Sequence, residues 1–271
     1  GAAIGAAVDD LLLPFVAAPT DHQRGYAATL LVNGRRVGDR RLGLARGEVT
    51  LPNPRVYAAE VAARPPLSVR EEGGVVVIRV ENALGRRETI AAFDAAVTAH
   101  LRARAMVLDL RGTPSGGNTD VARAIIGHFL REAAPYQVHE IPAIERATTV
   151  PRRFVEYALP REPRFEGPLA VLGGRWTGSM GEGLVIGLDA AGARTFASDM
   201  GDLLGALHVI DLPEAEGALE LGLEALFHVD GTPRADYVAD VPLPSADRDA
   251  SGGDPAMRAA LAWTGRAARR R

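Results

Sequence analysis

The chain has 271 residues, 47% of them hydrophobic, enough for a sizeable buried core. It carries 34 acidic against 31 basic side chains, a net charge of -3, which gives no general attraction to nucleic acid or anionic membrane. Cysteine is absent, which excludes disulfides, thiolate nucleophiles and cysteine metal sites; lysine is absent too, so all basic side chains are arginine and no lysine can act as a general base.

In chain order, Ile4, Val8, Leu11, Leu12 and Phe15 fall at helical spacing, and Pro14 and Pro19 limit the helix. The start at Gly1 has no basic n-region, no signal peptide is expected, and no run of about 18 apolar residues predicts a membrane span. Two strands are expected at Ala28–Val32 and Arg40–Leu44, flanking the turn dipeptide Asn33-Gly34. A proline-marked stretch from Leu51 to Pro66 then separates this small β-rich module, residues 1–67, from the rest.

From there strands and helices alternate. Strands are expected at 75–80, 106–110 and 169–173, with helices at 87–101, 120–131 and 180–191. Val75–Ile78 and Met106–Leu108 are continuously apolar, as in a mostly parallel sheet with helices on both faces, so residues 68–245 read as an α/β core. A last helix is expected around Asp254–Trp263 within a carboxy-terminal segment, 246–271, whose arginine run lacks the interleaved aromatics of a nucleic-acid patch.

Two segments carry chemistry. Pro168 to Gly183 is a buried strand that breaks at glycines and delivers Ser179 to a helix start, where the N–H of Met180 and the helix dipole could stabilise an oxyanion. The same residues also fit a plain N-cap, which leaves both readings open. Val107 to Arg111 is a strand that runs into the glycine-rich loop Gly112–Asn118, which lacks the spacing and lysine of a phosphate loop. If both strands belong to one parallel sheet, both loops open on its carboxyl edge, where ligands of open α/β folds bind.

The segments Leu108–Gly117 and Thr177-Gly-Ser-Met-Gly-Glu182 resemble, in the same order, the strand–loop and nucleophile turn of the tail-specific, or carboxy-terminal processing, serine peptidases. The resemblance extends through Met200–Gly205 and His228–Arg234 and is greatest to the branch with the tricorn core and retinoid-binding-like repeats. It implies a ClpP/crotonase-like core of ββα units, a peptide or protein substrate in extended form, no metal or other cofactor, and an acyl-enzyme on Ser179. It also implies an oxyanion hole from Met180 and from the loop at Ser115, Gly116 and Gly117, and an acid at Glu182. A periplasmic or secreted location is in keeping with the same family.

The proton acceptor is less defined. Where many members carry a lysine, this chain reads Leu203-Leu204; tricorn-like members use a histidine, for which His228 and His22 are the candidates, with Asp236 near the family's later acid. Residues 8–48 resemble the closing part of the PDZ-like module that precedes this core, which would place the usual upstream histidine outside the chain. A non-catalytic module binding a peptide or lipophile on the same fold, and crotonase-type acyl chemistry, are the competing readings.

Overall fold

The computed structural model describes residues 24, 40–44, 47–51, 63–81, 84–113, 116–203, 205–212, 217–244 and 249–269. The chain divides into two compact units, Gly1–Pro65 and Pro66–Arg271. In the first, strands β1 (Arg40–Leu44) and β2 (Gly47–Leu51) pair antiparallel, Arg41 opposite Thr50. Thus Arg40–Leu44 is a strand as expected, with β2 as its described partner. The helix expected over residues 4–18 and the Asn33-Gly34 turn lie outside the described residues.

The second unit is built on a six-stranded sheet. Its strands are β3 (Leu67–Glu72), β4 (Val75–Val80), β5 (Ala105–Asp109), β8 (Leu169–Gly173), β9 (Arg194–Ala197) and β12 (Val241–Pro242), in the spatial order β12-β9-β8-β5-β4-β3. Every pairing is parallel except the β3–β4 hairpin. The apolar runs are continuous because alternate residues feed two cores. Val76, Ile78, Met106, Leu108, Leu169 and Val171 face one core, while Val75, Val77, Ala105, Val107, Ala170 and Leu172 face the other. The first core holds residues of α1 (Glu88–Ala99), α2 (Thr119–Gly127) and α4 (Met180–Ala190); the second is closed by α5 (Pro255–Ala267).

Between α2 and β8 the chain forms β6 (Ala134–Glu140), the short helix α3 (Pro142–Thr148) and β7 (Arg153–Ala158). With β10 (Gly205–Leu212) and β11 (Gly217–Phe227) these strands make an antiparallel sheet in the order β10-β11-β6-β7. Helix α4 packs on β6 as well as on the large sheet, so the helix that starts at Ser179 touches both sheets. No described helix is long and apolar enough to cross a membrane.

Candidate active site

β8 ends at Gly173, where a Cβ would lie 3.1 Å from Ala197 Cβ and 3.2 Å from Met200 Sδ, so the strand passes close under the segment after β9. The next turn is closed by the buried Thr177, whose Oγ1 accepts from the Gly174 N–H at 2.9 Å and donates to the Leu110 carbonyl at 3.1 Å. Gly178 N–H donates to the Thr113 carbonyl at 3.1 Å. The turn after β8 is thereby stitched to the loop after β5, and the two strand exits share one carboxyl edge, as their parallel pairing requires.

Ser179 follows at the N-cap of α4, half-buried, with φ 52° and ψ −119°. An ordinary N-cap sits in the extended region. A non-glycine residue at positive φ costs of order 1–3 kcal/mol and persists only where its surroundings enforce it, commonly at functional sites. Capping the helix does not require this conformation; the sharp strand-to-helix elbow of a nucleophile does.

The facing loop is anchored at its base. Arg111 donates to both carboxylate oxygens of the buried Asp109, at 2.9 and 2.8 Å, and to both of Asp254, at 3.0 and 2.9 Å. Asp254 caps α5 by accepting the Met257 N–H at 2.9 Å, so the ion triad fixes the β5 exit to that helix. Further along, Gly116 has φ +60°, and a Cβ there would lie 2.4 Å from the Met180 nitrogen and 2.5 Å from Ser179 Cβ. Only glycine allows the loop this close to the Ser179 turn. Of the four expected oxyanion donors, the N–H groups of Met180 and Gly117 donate to no described residue. Gly116 N–H is spent on the Thr113 carbonyl at 3.2 Å, and Ser115 lies outside the described residues.

Glu182 is 1% exposed and points at the main chain rather than at the Ser179 hydroxyl. Its Oε2 accepts the N–H of Ser179 at 2.7 Å and that of Leu203 at 3.1 Å. Burial pushes its carboxyl up to about 7, against the opposing influence of Arg234 and of those two N–H donors. Both hydrogen bonds that Glu182 makes hold backbone in place. Arg234, 4% exposed, completes the arrangement, its Nη1 donating to the carbonyls of Ser179 at 3.1 Å and Leu203 at 3.4 Å and its Nη2 to Gln137 Oε1. Neither Arg234 nor Gln137 was recognised as part of the site from sequence, since 55 and 42 residues separate them from Ser179. The one local signal was Gly183, where a Cβ would come within 2.8 Å of both side chains.

His228 is not the partner of Ser179. Its Nδ1 lies 2.9 Å from Asp230 and its Nε2 3.8 Å from Asp189, which is nine residues beyond Met180 on α4. At about 1.5 Å per residue that is roughly 14 Å, the far end of the helix. His22 lies outside the described residues. The other histidines are engaged elsewhere: His100 with the Ala96 carbonyl, His128 with Asp94 and the Pro163 carbonyl, His139 with Glu156 and Glu224, and His208 with Glu224. Asp236 is exposed on a single 3-10 turn, Arg234–Asp236. Among the described residues no cluster of three His, Asp or Glu side chains is placed to hold a metal ion.

Fold and site together define an α/β core that presents a strained serine at a helix start beside a glycine loop, on the carboxyl edge of a mostly parallel sheet. Solved structures share this architecture. The photosystem II D1 C-terminal processing protease matches with a TM-score of 0.57 at 16% identity, over 79% of this chain and 58% of that one. Mature CPAF in complex with lactacystin matches at 0.58 and 11% identity, over 96% and 74%. A lipoprotein from Streptococcus agalactiae matches at 0.58 and 11% identity, over 97% and 87%. The chain thus has the fold of carboxy-terminal processing peptidases, and it spans 58% of the length of the D1 processing protease. No protein-family model and no curated protein matches it.

Proposed function

We propose that this chain is a serine hydrolase acting on peptide bonds, with Ser179 as its nucleophile. The observation that carries the reading is the backbone of Ser179, held at φ 52° against Gly116, where a helix cap alone would be extended. Ser179 Oγ attacks the substrate carbonyl, and the developing oxyanion takes the N–H groups of Met180 and Gly117, which have no described acceptor. The amine leaves, and water hydrolyses the ester on Ser179. None of the five described histidines hydrogen-bonds Ser179, which leaves His22, outside the described residues, as the remaining histidine candidate for the acceptor of the hydroxyl proton. Residues 1–67 are assigned as the end of a PDZ-like module, 68–245 as the peptidase core and 246–271 as a closing helix and basic tail.

A non-catalytic binding module on this fold is the second reading, favoured by the distance of His228 from Ser179. p-Nitrophenyl acetate separates the two. A hydrolase releases a burst near one equivalent of p-nitrophenol before slow turnover, since acylation by an activated ester needs little from a base. No burst from the folded protein, or a burst that survives Ser179→Ala, overturns the hydrolase reading.

A further inference from the structure

We propose that Arg234 is the positioning residue of the nucleophile turn, acting with Glu182 as a clamp that grips both backbone groups of Ser179 and both of Leu203. This rests on the reading of Ser179 as nucleophile. The geometry is reciprocal. Glu182 takes the N–H of Ser179 and of Leu203, and Arg234 gives a hydrogen bond to the carbonyl of each. A residue bonded by a carboxylate on one side of its Cα and by a guanidinium on the other has little freedom to relax its φ and ψ. That restraint is what the positive φ of Ser179 needs. Both side chains are buried, so with Glu182 ionised the four contacts are charge-assisted and unscreened by water.

The device joins three separate parts of the chain: α4, the segment after β9 and the turn after β11. Its outer end is fixed by Gln137, which receives Arg234 Nη2 and whose Nε2 lies 2.7 Å from His139 Nε2. Gly183 leaves the space through which the guanidinium passes. The guanidinium is specific to this task, because its planar fork reaches both carbonyls and Gln137 at once, whereas an ammonium on the same path acts as a single point. The charged and titratable groups that face the clamp are Asp202 beside Glu182, Tyr136 beside Arg234, and, beyond Gln137, His139 with Glu156 and Glu224.

The clamp is strongest with Glu182 ionised, and burial pushes that carboxyl up to about 7. Reactivity of Ser179 should therefore rise with pH through that region. Arg234→Met removes the cation that holds the Glu182 value down, so the rise moves to higher pH; Arg234→Lys keeps the charge and the midpoint but loses the fork. A merely structural arginine would lower stability without moving the midpoint.

The test uses the full chain, wild type, Arg234→Met and Arg234→Lys, with Gln137→Leu in case the charge deletion does not fold. Backbone amide exchange at Ser179 and Leu203 is compared with that of β5, and fluorophosphonate labelling of Ser179 is timed across pH. Both amides should exchange roughly tenfold faster or more in each folded variant while β5 stays protected. Labelling should slow by about tenfold, with the midpoint raised in Arg234→Met only. Amides as protected in the variants as in the wild type would overturn the clamp. Loosened amides in a chain whose wild type is never labelled would instead sink the hydrolase reading and leave the clamp standing.

Discussion

Gly116→Ala is the substitution that most directly challenges the contact between the two loops. The new methyl would sit 2.4 Å from the Met180 nitrogen and 2.5 Å from Ser179 Cβ, and 2.9 Å from the Gly178 carbonyl oxygen. Two of these three atoms are backbone, and the third belongs to a residue held at both its N–H and its carbonyl, so none can swing aside. Holding a non-glycine residue at φ +60° costs about 1–2 kcal/mol, and the overlap adds roughly 1–3 kcal/mol. The sum, about 2–5 kcal/mol, lowers the melting temperature by roughly 4–20 °C in a domain of this size. Thermal unfolding followed by circular dichroism measures that loss. Fluorophosphonate labelling of the folded fraction measures the second effect, because opening the gap displaces the Met180 N–H and slows the reaction at Ser179. A variant that melts and labels like the wild type would refute the close approach of loop and turn.

Ser179→Gly should be more stable than the wild type by about 1 kcal/mol in chemical denaturation while losing all labelling, since glycine accepts positive φ without strain; a destabilised variant would mean that the serine backbone is not strained. His228→Ala should leave the labelling rate and its pH dependence unchanged, because the ring sits at the opposite end of α4, and a slowed reaction would restore it as a candidate base. His139 supplies a pH signature of stability. Burial disfavours its charged form, but the hydrogen bonds and charges of Glu156 and Glu224 outweigh burial and hold it above the usual 6.5. That contribution is fully present below 6.5 and is lost as pH rises through the raised folded value, while the two glutamates, held below 4.5, lose theirs as pH falls through their lowered values. The melting temperature should therefore fall from mildly acidic to alkaline pH, and His139→Gln should flatten the fall; an equal slope in the variant would contradict it.

The sequence was most legible where local pattern and packing agree. The strand expected at 75–80 is β4 and that at 169–173 is β8, because short apolar runs such as Val75–Ile78 and Leu169–Leu172 are what a strand covered on both faces needs. The helix expected at Met180–Ala191 is α4 to within one residue. The last helix was expected to end at Trp263 but continues to Ala267, since Thr264 is buried and its hydroxyl folds back onto the Ala260 carbonyl at 3.0 Å. The second sheet was not foreseen. β6 buries Gln137 and His139 beside Tyr136 and Val138, while β7 and β10 expose Phe154, Val155, Leu207 and Val209, so neither shows apolar alternation, and their pairing with β11 is remote in sequence. The candidate site divides in the same way. Ser179 and Gly116 stood out because glycines mark strand exits locally, whereas Arg234 reaches the turn only through tertiary folding. His228 was misleading because proximity in sequence to the later family segment does not place it near the serine.

Labelling the full chain with a fluorophosphonate and locating the adduct by peptide mass spectrometry tests the central assignment most directly. A single adduct is expected on Ser179, formed slowly, absent from Ser179→Ala and slowed in Gly116→Ala. A folded chain that takes no label, or takes it at another residue with Ser179 unmodified, would contradict it.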